Sequence, residues 1–138
     1  MDDSQLETLL KDIESDRVER KASISDKGKL CEAVCAFAND LPNHQQPGVL
    51  FIGVNDDGSC ANLSITDQLL LTLSDMRSDG NILPFPAITV QKRTLAGCEL
   101  AAVIVEPSDA PPVRYEGRIW IRVGPRRATA TAEEERRL

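Results

Sequence analysis

The segment Gly48-Val-Leu-Phe-Ile-Gly-Val-Asn55 constrains the fold more than any other. It is apolar nearly throughout and rich in residues that favour strands. A strand of this kind has no polar face to offer water, so it belongs in the middle of a sheet with other elements over both faces. The rest of the chain has to supply strands that flank it and helices that cover it.

The flanking pattern supplies both. Ser4 to Leu10 reads as a short amphipathic helix, capped by Ser4, with Leu6, Leu9 and Leu10 on one face. Residues 17–22 alternate as a strand does, and Ser23 to Gly28 is loop. Lys29 to Asn39 is a second helix with Leu30, Val34, Phe37 and Ala38 on one stripe, ended before Leu41-Pro42. Asp56-Asp57-Gly58 is a turn of the hairpin kind. Ile65 to Asp79 is a helix capped by Thr66, with Leu69, Leu70, Leu73 and Met76 inward. Pro86–Thr94 and Cys98–Glu106 form a hairpin around Ala96-Gly97; Val113–Tyr115 and Arg118–Val123 form another around Glu116-Gly117, broken by Gly124-Pro125. Thr131 caps a last helix, with Glu134 completing the capping box. Three or four helices among six strands give an α+β single domain over 1–138, a mixed β-sheet with packed helices. Its core is expected to run from about 14 to 127, with 128–138 expected to begin a helix that leads toward a further domain in a longer parent protein.

Aromatic residues make up 4 % of the 138 against 41 % apolar, so the core has to be aliphatic. No apolar run approaches the ~20 residues of a membrane helix, and Met1 begins an acidic stretch, not a secretory leader. The expected location is the cytoplasm, without membrane contact. Cys31 and Cys35 lie one helical turn apart in an Ala-rich pattern and read as small buried thiols. The one histidine, His44, sits in a Pro/Gln loop, so a Cys/His zinc site, a Ser-His-Asp triad and thiol catalysis all lack a partner. No phosphate-binding glycine loop is present, and no nucleotide cofactor is expected.

A net charge of −6 argues against nucleic-acid binding by the whole surface and suits a dimerisation or interaction domain that touches none. Its distribution is uneven. Residues 1–40 hold ten acidic and six basic side chains, whereas 110–127 hold five arginines and one acid, Glu116. Arg118, Trp120 and Arg122 alternate with Ile119, Ile121 and Val123, giving one Arg/Trp/Arg face and one apolar face. Arg114 precedes them; Arg126 and Arg127 follow; Arg17, Arg20 and Lys21 extend the patch. Arginines hold phosphates with fork geometry, and a tryptophan between them offers a platform for an unpaired base. Equally, the arginine stems can cover Trp120 on an ordinary outer face. Glu14, Asp16, Glu19, Asp56 and Asp57 are the candidate carboxylates, and Asp56 stands at the carboxyl end of the central strand, where open sheets commonly bind ligands. Three of them together would suit Mg²⁺ or Mn²⁺; by spacing alone they read as solvated acids and turn residues.

Four blocks carry a resemblance: Glu14-Ser-x-x-Val-Glu19-x-Lys21, Ala36-Phe-Ala-Asn39, Gly48-x-Leu-Phe-Ile-Gly-Val54 with Asp56-Asp-Gly58, and Arg118-x-x-Ile-Arg-Val-Gly124. In this order and spacing the chain resembles the AlbA_2 domain of Schlafen proteins from about Glu14 to Leu138. The resemblance implies an α+β domain with a mixed sheet. In bacteria and archaea it implies a DNA-binding domain of a regulator, often ahead of a winged-helix or helicase-related part. In animal Schlafens it implies an endoribonuclease on structured RNA such as tRNA, with three carboxylates and a divalent metal. Matched by position, those catalytic and metal-binding residues are Glu14, Glu19 and Asp56, with Asp57 the alternative for the third. Lys21, Arg114, Arg118, Trp120, Arg122, Arg126 and Arg127 are the candidate contacts to DNA or RNA. Animal Schlafens pair two such lobes, so the resemblance also raises a homodimer.

Overall fold

A computed structural model describes residues 1–13 and 15–138, and of Asp79 the backbone alone. The apolar segment forms β2 (Gly48–Ile52), and all five of its residues are buried. It lies between β1 (Val18–Lys21), which runs parallel to it, and β5 (Cys98–Val105), which runs antiparallel. The antiparallel β4 (Ile88–Leu95) completes the order β1-β2-β5-β4, a mixed sheet. Ala96 and Gly97 both take positive φ between β4 and β5, as a two-residue hairpin of matching twist requires.

Both faces of the sheet are covered. On one, Leu50, Ile52, Ala101, Val103 and Val105 meet α2 (Lys27–Asn39), α3 (Asp67–Ser74) and α4 (Met76–Asp79). On the other, Val49, Phe51, Leu100, Ala102 and Ile104 meet Leu6 and Leu10 of α1 (Asp3–Lys11). Alternate residues of a strand serve opposite faces, which is why β2 and β5 are apolar without a break. Helix α2 presses so closely on β2 that a Cβ on Gly48 would stand 2.3 Å from the Phe37 ring. Cys31 and Cys35 are free thiols buried in this layer.

Several expectations need correction. Helix α1 begins two residues before Ser4's cap position would allow, because Asp2 and Gln5 form the capping box instead. The Ile65–Asp79 helix is two helices that meet at Asp75. Thr66 caps the first, as expected. The Glu116-Gly117 turn forms, but Tyr115 and Arg118 make an isolated bridge and not a long ladder. Strand β6 (Arg114–Tyr115) pairs with β3 (Ile82–Leu83), and β7 (Trp120–Val123) turns at Gly124-Pro125 to pair with β8 (Arg126–Thr129). Among the described residues there are thus eight strands, not six. Thr131 and Glu134 close the capping box of α5 (Ala132–Arg137) as expected. A disulfide that the sequence reading did not foresee joins Cys60 to Cys98.

Asn39 explains part of the Ala36–Asn39 block. Buried at the end of α2, its amide donates to Val113 O and Trp120 O, while its Oδ1 accepts from Val113 N. Helix α2 thereby carries the β7–β8 ribbon at a fixed height beside the edge strand β1.

Candidate nucleic-acid interface

A cleft of about 520 Å³ opens between β1, α2 and the β7–β8 ribbon. Its walls bring together residues far apart in sequence: Glu19 and Lys21 from β1, Glu32 from α2, Asp56 beyond β2, and Trp120, Arg122, Arg126 and Arg127 from the ribbon. Glu14 lies outside the described residues. Of the other sequence-predicted residues, Arg114 and Arg118 are elsewhere. Arg114 lines a separate groove with Asn81, Leu83 and Glu116, and exposed Arg118 follows the Glu116-Gly117 turn.

Arg122 departs most from its expected role. Trp120 and Arg122 do share a face, but that face packs on α2, and Arg122 is 4 % exposed. Val123, assigned to the apolar face, is 55 % exposed. The Arg122 guanidinium donates to Glu19 at 2.6 Å, to Pro125 O at 3.2 Å and to Val18 O, and it stacks 5.3 Å above the Phe37 ring centre. Burial pulls its pKa below the usual arginine value, and Glu19 offsets part of that pull. By taking up a β1 carbonyl it also covers an exposed sheet edge. Arg122 is therefore a clamp inside the cleft wall.

Arg127 is engaged as well. Its guanidinium meets Glu19 at 3.0 Å and Glu32 at 2.8 Å, and it donates to Lys29 O. Glu32 was not singled out from sequence; its only signal is an acid on the less buried side of α2, too common to read alone. Lys21 Nζ stands 3.7 Å from Glu19 Oε2, an oxygen that is buried and has no hydrogen-bond partner. Arg20 is 7 % exposed and turns inward to Leu10 O, its pKa lowered chiefly by burial. Arg17 is tied to Pro47 O at 2.9 Å. Arg126 stays exposed at the rim, and among the described residues no ion pair holds it.

The two adjacent aspartates separate cleanly. Asp57 accepts from Ser59 N and Oγ, which lowers its pKa, and it faces another groove beside α1. Asp56 faces the basic cleft. Asp16 holds His44 at 2.9 Å, so the loop histidine braces the approach to β1. Among the described residues no group of three or more His, Cys, Asp or Glu is placed to hold a metal ion.

The fold and cleft define an α+β domain whose mixed sheet carries a cationic groove along one edge. The family model for Schlafen, AlbA_2 matches residues 14–131, and the chain belongs to that family. Among solved structures it is similar to the N-terminal domain of a RecG-related protein from Nitrosomonas europaea, described as an ATP-dependent DNA helicase relative. That likeness has a TM-score of 0.54 and 29 % identity, over 74 % of this chain and 72 % of that one. The DIP2311 protein from Corynebacterium diphtheriae shares the fold, with a TM-score of 0.53 and 16 % identity over 92 % of this chain and 30 % of that one. No curated protein matches.

Proposed function

We propose that this domain binds nucleic acid, DNA or RNA, in the cleft between β1, α2 and the β7–β8 ribbon. Lys21 and Arg126 meet phosphates at the rim, Arg127 stands behind them, and Trp120 offers its ring to a base. One observation carries this reading: among the described residues the cleft gathers Lys21, Arg122, Arg126 and Arg127 against Glu19, Glu32 and Asp56, a local excess of cations in a chain of net charge −6. Such a local excess attracts a polyanion that the rest of the surface repels. Family membership and the likeness to a RecG-related domain support it. The same proposal makes the domain the nucleic-acid-contacting part of a cytoplasmic regulator.

Fluorescence anisotropy with a labelled oligonucleotide tests the site. Lys21→Ala with Arg126→Ala is expected to weaken binding at least about ten-fold and to flatten its salt dependence by roughly two phosphate contacts. Arg114→Ala with Arg118→Ala, outside the cleft, is expected to leave it nearly unchanged. The opposite ranking would remove the cleft from the proposal, and no binding in any salt would favour an interaction domain.

A second reading, a metal-dependent endoribonuclease, is favoured by Glu19 and Asp56 sharing this cleft and by Glu19 Oε2, which is buried and accepts no hydrogen bond. Glu19 and Asp56, with Glu14 by motif position, are the residues that would hold Mg²⁺ or Mn²⁺, which would supply charge neutralisation at a phosphodiester. The described residues alone do not make that ligand set, and Glu19 already serves two arginines. Incubation with tRNA and Mn²⁺ beside a Glu19→Gln control decides it: cleavage by the unaltered chain alone supports the reading, and equal cleavage by both removes it.

A further inference from the structure

We infer that the Cys60–Cys98 disulfide is a thiol–disulfide exchange site that latches the Asp56 turn at the mouth of the cleft. The turn runs from Asn55 to Ser59 between Val54 and Cys60, which form an isolated bridge. Its backbone hydrogen bonds are local: Asn55 N to Ser59 O at 2.9 Å, Gly58 N to Asn55 O at 2.9 Å and Ala61 N to Gly53 O at 2.9 Å. At its base Gly53 N and Val54 N donate to Lys21 O of β1, at 2.7 and 3.2 Å, so these bonds shape the turn and tie its base to β1 without fastening it to β5. The covalent tie to β5, 38 residues on, does that. Asp56, at the tip of the latched turn, lines the basic cleft.

The two sulfurs are unequal. Cys98 is 7 % exposed, while Cys60 is only half-buried. A thiolate of a dithiol reductant therefore attacks Cys60 Sγ, the S–S bond breaks, and Cys98 leaves as a thiolate that takes a proton. The second thiol of the reductant then displaces Cys60 and closes its own disulfide. Two electrons and two protons pass to the protein in all. The reduced Cys98 has acceptors already at hand, Gly53 O and Glu99 O, each 3.7 Å from its sulfur. Reduction thus frees the turn while the sheet keeps its residue. In a cytoplasmic setting, thiol pools would favour the open form, and an oxidising episode would close it.

The effect on ligand binding rests on the nucleic-acid reading above. A latched Asp56 holds a carboxylate where phosphates are to approach. Releasing the turn lets that charge withdraw, so reduction is expected to tighten oligonucleotide binding about five-fold, the scale of one solvated charge at contact distance.

The test starts with the oxidised protein, whose mass should rise by two hydrogens on reduction; four free thiols in aerobically purified protein would overturn the inference. Hydrogen exchange of residues 53–61, without nucleic acid, is then compared before and after reduction and in Cys60→Ser. Faster exchange confined to this turn is expected, and unchanged exchange overturns the latch. Anisotropy follows with the same two redox forms and with Asp56→Asn. Tightening on reduction that Asp56→Asn abolishes supports the coupling, and equal affinity of the two redox forms overturns it. Faster exchange with no binding in either form would support the latch and count against the nucleic-acid reading alone.

Discussion

Arg122 donates to Glu19 at 2.6 Å across 103 residues of sequence, and this pair fastens the β7–β8 ribbon to the edge strand β1. The two side chains are 5 % and 11 % exposed, so each carries its charge into the wall of the cleft. Burial of a charge is tolerable only because its partner and several carbonyls are present. Removing one partner leaves the other uncompensated. Arg122→Ala is expected to lower stability by about 3–5 kcal/mol, and Arg122→Lys to recover little, since an ammonium cannot serve Glu19, Val18 O and Pro125 O from one plane. Urea unfolding followed by circular dichroism measures both. A loss below ~1 kcal/mol for Arg122→Ala would mean the pair is a solvated surface contact.

What was legible in sequence was what is decided locally. Gly48–Ile52 announces a doubly covered strand through its own composition. Gly97 announces a hairpin because glycine takes the positive φ of a tight turn without steric cost, and Ala96 follows it into that region against its own preference. Thr66 and Thr131 announce helix starts because a cap acts within three residues. What escaped was decided at a distance. Strand β8 reads Arg-Arg-Ala-Thr, with no apolar alternation of its own, and exists because β7 pairs with it. Arg122 looked like an outward cation because arginine usually is one; only Glu19, Phe37 and three carbonyls make its burial bearable. Cys60 and Cys98 carry no mark that pairs them. The cleft itself was half legible: the residue types were read, but their sorting into clamps and rim cations was not.

The disulfide should also support stability, independently of any ligand. Cross-linking residues 38 apart removes loop entropy from the unfolded chain worth about 4 kcal/mol in the chain-entropy treatment. Unfolding by guanidinium with and without reductant is expected to differ by up to that amount, with Cys98→Ala following the reduced protein in either condition. Coincident curves would show that the native fold gains nothing from the bond.

Cys35 gives a pH dependence whose sign is fixed by burial. Its thiol is fully buried, donates to Val113 O at 3.2 Å, and has its pKa pushed up from 9.0 to about 11. The unfolded chain loses this proton first, so between about pH 9 and pH 11 it binds fewer protons than the native state, and stability falls as pH rises. The contribution is fully present below pH 9 and worth about 2–3 kcal/mol. Cys31 and Tyr115 shift in the same direction, chiefly by burial. Denaturation midpoints of the unaltered chain and Cys35→Ala, compared across this window, should show a smaller drop in the variant. Parallel drops would mean the native thiol ionises as freely as an exposed one.

Trp120 is the chain's single tryptophan, which makes its fluorescence a direct report on the cleft. The residue is half-buried; it packs against the α2 layer and also lines the cleft. A cleft of about 520 Å³ has room for one nucleotide beside the ring. If a base reaches the ring, it has to be unpaired, as in single-stranded recognition generally. Titration with single-stranded oligonucleotide is therefore expected to quench the emission, and blunt duplex of the same sequence to leave it nearly unchanged. Trp120→Ala should weaken single-strand binding by about 1–3 kcal/mol, the worth of one stacked base, and Trp120→Phe by less. Because Trp120 also packs on the core, the alanine variant has to be shown folded by its unfolding curve first. Binding without quenching, and unaffected by Trp120→Phe, would leave the arginine and lysine contacts as the whole of the interaction.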